Sequence, residues 1–95
     1  MSDSAISNAA PTTSSPQNAH GNLERVLKQN KAEGNNGISI KENKDLFVND
    51  AANYAKAHGK GAAAEEAFIK QETNDFGLNA KQQELLRSMV EDTFK

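Results

Sequence analysis

A chain of 95 residues holds one small domain at most. Its formal charge of −2, from 11 Lys+Arg against 13 Asp+Glu, lacks the basic surplus that displaces counterions from phosphates, so a dedicated nucleic-acid binder is not expected. With no cysteine, disulfide frameworks, thiolate zinc sites and cysteine nucleophiles are excluded.

Residues 1–21 differ in composition from everything after them. They are rich in Ser, Thr, Asn and Ala, hold both prolines (Pro11 and Pro16), and carry Asp3 as their one charged side chain, His20 aside. Such a segment buries too little apolar surface to offset the conformational entropy lost on ordering, roughly 1–2 kcal/mol per residue for backbone. A disordered tail is expected over 1–21 and a helical domain over 22–95. The N-terminus has neither the basic region nor the apolar core of a secretory signal peptide, and no apolar run approaches the roughly 18 residues of a membrane span.

Four helices are predicted within the domain. The first covers about 22–32, with Leu23, Val26, Leu27 and Asn30 at i, i+3, i+4 and i+7, and Gly34 as its stop. The second starts at Ser39-Ile40-Lys41-Glu42, a capping box in which hydroxyl and carboxylate each reach the other residue's amide. It continues to His58, with Phe47, Ala51, Tyr54 and His58 along one face and Gly59 beyond its end. The third covers about 62–73, with Ala64, Ala67, Phe68 and Gln71 in phase. The fourth starts at a second capping box, Asn79-Ala80-Lys81-Gln82, and carries the clearest amphipathic stripe: Leu85, Leu86, Met89, Val90 and Phe94.

The two halves resemble each other. Val26-Leu27-Lys28-Gln29 corresponds to Phe68-Ile69-Lys70-Gln71, at a spacing of 42 residues. Gly37-Ile38-Ser39-Ile40-Lys41-Glu42 corresponds to Gly77-Leu78-Asn79-Ala80-Lys81-Gln82, at a spacing of 40. One repeat covers about 22–58 and the other about 62–95. Helix, Asn/Gly loop, aliphatic residue and capped helix, repeated once, resembles a degenerate pair of EF-hands.

That resemblance implies calcium ligands at loop positions 1, 3, 5 and 12, with Gly at 6. It also implies a β-bridge between the aliphatic residues, here Ile38 and Leu78. Ser39 then takes position 9 and Glu42 position 12. The pattern departs elsewhere: Lys31 falls at position 1 and Gly37 at 7. The second loop offers Glu72, Asn74 and Asp75, but Phe76 intrudes and Gln82 or Gln83 stands where the closing Glu belongs. The resemblance therefore implies an EF-hand-like scaffold that has largely lost its metal. Glu42, Glu72, Asn74 and Asp75 are the residual candidate ligands, and any calcium affinity is expected to be weaker than about 1 mM on carboxylate count. No other cofactor is expected.

Other patterns point to structure. Ala57-His58-Gly59-Lys60-Gly61 before the third helix could hold a phosphate on free amides, but its glycine spacing matches neither a P-loop nor a dinucleotide fingerprint. It reads as a linker. His58, at a helix C-terminus, has no Ser or Cys placed to make it a general base. The pairs Glu65-Glu66 and Glu91-Asp92 read as solvated faces.

The sequence points to an all-α, non-enzymatic interaction module. Its expected partner is a protein, as a helix in an apolar groove with Phe47, Tyr54, Leu85, Leu86, Met89, Val90 and Phe94 as candidate contacts; the alternative, the commoner fate of such a stripe, is that Leu85, Leu86, Met89, Val90 and Phe94 are core. A calcium-responsive protein is one alternative. The other comes from the tail: a nearly uncharged Ser/Thr/Asn/Ala segment is similar to the export signals of bacterial type III secretion substrates. It implies export without a cleaved signal peptide, in place of a cytoplasmic location.

Overall fold

A computed structural model describes residues 16–95 as α1 (Ala19–Ala32), α2 (Lys44–His58), α3 (Ala62–Phe76) and α4 (Ala80–Val90). Short 3-10 turns at Pro16–Asn18 and Glu91–Phe94 flank them. No strand occurs among the described residues, so the domain is all-α as the periodicity requires. No described helix is long and apolar enough to cross a membrane. Helix α2 lies at the centre, against α1, α3, α4 and the C-terminal 3-10 turn.

The folded domain begins earlier than composition indicates. Most of the expected tail lies outside the described residues, but Pro16–Asn18 forms a 3-10 turn and α1 starts at Ala19. Ala19 is fully buried and His20 half-buried. Ala19 sits one turn before Leu23 on the same face, so the apolar register of α1 extends back into the polar segment.

Helix α1 ends where expected. Gly34 takes a positive φ of 91°, and the Glu33 amide donates to Gln29 and Asn30. Asn30 then organises the loop. Its carbonyl accepts from the Asn35 amide at 2.8 Å, and its Nδ2 donates to the Gly37 carbonyl at 2.9 Å.

Helix α2 starts at Lys44, later than the Ser39 capping box predicts. The expected Ser39 cap forms in part, since the Glu42 amide donates to Ser39 Oγ at 3.1 Å. It caps only an isolated turn, which Asn43 Nδ2 closes by donating to the Ser39 carbonyl. The reason is packing. Ile38 and Ile40 are both buried, at 3% and 2% exposure. Sending i and i+2 into one core requires extended backbone, because a helix would turn them apart.

Helix α3 runs three residues past the expected Thr73, to Phe76. Thr73 Oγ1 bonds back to the Ile69 carbonyl at 2.7 Å, which satisfies its hydroxyl inside the helix. Burial of Phe76, edge-on to Phe47 at 5.8 Å, favours the extra turn. Gly77 then terminates it in the left-handed region, at φ 64°.

Helix α4 starts as the sequence predicts. Asn79 Oδ1 accepts from the Gln82 amide at 2.8 Å, and Gln82 Oε1 accepts from the Asn79 amide at 3.0 Å. Gln82 Nε2 also donates to the Ile38 carbonyl at 3.0 Å, tying the two interhelical loops together. Ile38 and Leu78 are both buried in the one core, without the β-bridge the EF-hand resemblance implies. Asn79→Ala is expected to cost about 1 kcal/mol, and Ser39→Ala distinctly less because it caps one turn. Thermal melts of the two variants check this; equal losses would place the start of α2 at Ser39.

Four side chains expected at a partner surface are core instead. Phe47, Leu86 and Val90 are fully buried, and Phe94 is 3% exposed. Phe94 stacks on Phe68 at 5.7 Å and lies near Tyr54 at 6.3 Å. The Gly61 amide fastens this C-terminal turn by donating to the Phe94 carbonyl at 2.8 Å. That bond also occupies an amide which a phosphate site in 57–61 would need. Tyr54, Leu85 and Met89 remain half-buried at the edge of the core.

Candidate functional site: a histidine held among carboxylates

The start of α1 crosses the middle of α2 and the C-terminal half of α3 at a cluster of ionisable groups. His20 comes from the first turn of α1, Asp50 from α2, and Glu72 and Asp75 from successive turns of α3. His20 Nδ1 donates to Asp50 Oδ2 at 2.7 Å and lies 3.3 Å from Glu72 Oε2. On the other side of the ring, Nε2 donates to Asp75 Oδ2 at 2.9 Å, with Glu24 Oε2 at 3.8 Å. The ring rests on Phe76, centroid to centroid 5.1 Å.

Burial makes this cluster unusual. Glu72 is 0% exposed and Asp50 5%, while the His20 side chain keeps 29%. Acids are almost never fully buried unless paired. Gln71 Nε2 donates to Glu72 Oε2 at 3.3 Å, but Glu72 Oε1 is buried without a hydrogen-bond partner.

Acceptor-only carboxylates on both ring nitrogens require a hydrogen on each, which is the imidazolium form. Hydrogen bonds to Asp50 and then Glu72 raise the His20 pKa from 6.5 to about 11, against the opposing cost of burial. Loss of solvation is the main cause that pushes Glu72 well above the usual carboxylate range, and Asp50 beside it adds to the effect.

Both shifts have one sign for stability. In each case the folded state holds a proton that the unfolded chain releases at lower pH. The His20 contribution is complete below about pH 6.5 and is lost as pH rises towards about 11. The Glu72 contribution starts to fall above pH 4.5. With metals chelated, the domain is therefore expected to be more stable at pH 6 than at pH 9.5, by on the order of 2 kcal/mol. Urea titrations at the two values check this, and His20→Gln should flatten the difference.

The sequence-predicted ligands divide. Glu72 and Asp75 meet at His20, whereas Glu42 and Asn74 are exposed and lie outside the group of His20, Asp50 and Glu72 that could hold an ion. Because α3 continues to Phe76 and α4 starts at Ala80, only Gly77–Asn79 separates them, too little chain for a calcium loop of about 12 residues. His58 is exposed, its ring 4.3 Å from that of Tyr54. His20 and Asp50 are the residues that sequence reasoning missed. A signal existed for each carboxylate: Asp50 falls between Phe47 and Ala51 on the apolar face of α2, and Glu72 between Phe68 and Phe76 on that of α3. An acid in an apolar stripe requires a buried partner.

No protein family, curated protein or solved structure matches the chain.

Proposed function

We propose that the protein is a non-enzymatic helical interaction module. One observation carries the reading: an open groove of about 370 Å³ where half-buried Val26 of α1 meets residues 41–46, lined by Lys41, Glu42, Asn43, Lys44, Asp45 and Leu46 as well. A lining that combines apolar side chains with charges of both signs matches the composition of a protein-binding surface. The partner that fits is an amphipathic segment with one apolar anchor and charged flanks.

A photo-crosslinking side chain at Lys41, in cells of the source organism, tests this. Discrete adducts are expected that excess unlabelled protein suppresses and Val26→Glu abolishes. No adduct, or the same adducts from exposed Ala57, would overturn the reading. Export by a type III-like signal rests on tail composition, and a secretion assay with and without that segment tests it. The deletion must stop at residue 15, because Ala19 and His20 belong to the folded domain.

A further inference from the structure

We propose that His20, Asp50 and Glu72 form a binding site for a first-row divalent transition ion, of which zinc is the type. The three side chains come from three helices, and each offers a ligand atom within 4.8 Å of the others. Tetrahedral zinc takes His nitrogen at about 2.0–2.1 Å and carboxylate oxygen at about 2.0–2.2 Å, which places neighbouring ligand atoms about 3.3 Å apart. His20 Nδ1 and Glu72 Oε2 already stand 3.3 Å apart. Nδ1 and Asp50 Oδ2, at 2.7 Å, share a hydrogen that an ion would replace, and they need to open by about 0.6 Å to reach that spacing.

Two independent features point the same way. Glu72 is wholly buried with Oε1 unpartnered, a placement that a cation beside it would satisfy. Outside the ligand group, His20 Nε2 donates to Asp75 Oδ2 at 2.9 Å, the carboxylate–histidine arrangement that orients a metal-bound imidazole and raises its basicity.

The donor set selects the ion. One nitrogen and two carboxylates suit zinc, cobalt, manganese or ferrous iron. Calcium requires six to eight oxygens and magnesium an octahedral, largely hydrated shell, so neither is expected to compete. The site is separate from the groove by Val26, and its test is independent of the interaction reading.

The experiment uses the full, untagged chain. Calorimetry with zinc chloride is expected to give one saturable event at micromolar concentration, and cobalt(II) the intense visible bands of a tetrahedral site. Zinc should raise the melting temperature while calcium and magnesium at equal concentration do not. Asp50→Asn and Glu72→Gln should each weaken zinc by about tenfold or more, with helicity checked by circular dichroism. Asp75→Asn, outside the ligand group, should weaken it by about 10–100-fold with helicity unchanged. His58→Ala should leave it intact. No saturable zinc binding by the wild type, octahedral cobalt spectra, or binding that disappears with His58 and survives Glu72→Gln would overturn the proposal.

Discussion

Asp50→Ala is expected to cost the domain about 3 kcal/mol, and Glu72→Leu to be neutral or stabilising. The two acids lie in one cluster, yet their environments divide them. Asp50 accepts the shortest bond of the cluster, 2.7 Å from His20 Nδ1, and is 5% exposed. Its removal leaves an imidazolium against the core with its main counter-charge gone, and breaking a buried pair in this way typically costs about 3–5 kcal/mol. The lower end applies because the His20 side chain keeps 29% of its exposure and can recover some water.

Glu72 is fully buried, is held partly protonated by its surroundings, and carries one oxygen with no partner. An apolar side chain of similar volume between Phe68 and Phe76 removes that desolvation cost. In a domain of this size 1 kcal/mol shifts the melting temperature by about 4–8 °C, so thermal melts separate the variants clearly. Equal destabilisation by both would show that Glu72 carries as much of the cluster's stability as Asp50 does. If Glu72→Leu gains stability and loses zinc, the acid's burial is a cost retained for ligand binding.

The elements were legible because apolar spacing and caps report local physics. The α4 start could be read from Asn79 and Gln82 alone, since both reciprocal bonds form within the motif. The α2 start could not be read from Ser39 and Glu42, because tertiary burial of both Ile38 and Ile40 keeps Ser39 outside the helix and leaves its cap on an isolated turn. Composition places residues 16–21 in a tail, and what orders them is long-range: Ala19 enters the core and His20 finds acids 30 and 55 residues away. The EF-hand resemblance rests on short-range pattern and has no means to register that Phe76 extends α3 through the loop it would need.

Phe68→Ala is expected to cost about 3–5 kcal/mol, and Leu85→Ala less than about 1 kcal/mol. Phe68 has 0% exposure and sits between two aromatic neighbours, Tyr54 at 5.6 Å and Phe94 at 5.7 Å. Truncation opens a cavity that the surrounding helices cannot close, and it frees the C-terminal turn that Phe94 anchors. Leu85 belongs to the same apolar stripe of α4 as Leu86, but it is half-buried while Leu86 is fully so. The stripe is wider than the core it faces. Leu86, Val90 and Phe94 fill the interior, and Leu85 and Met89 are left at the edge, in contact with both core and water. Urea unfolding of Leu85→Ala and Met89→Ala beside Phe68→Ala locates that boundary energetically. Losses near those of Phe68→Ala would place the edge residues inside the core, and the exposed apolar surface available to a partner would then shrink to the groove at Val26.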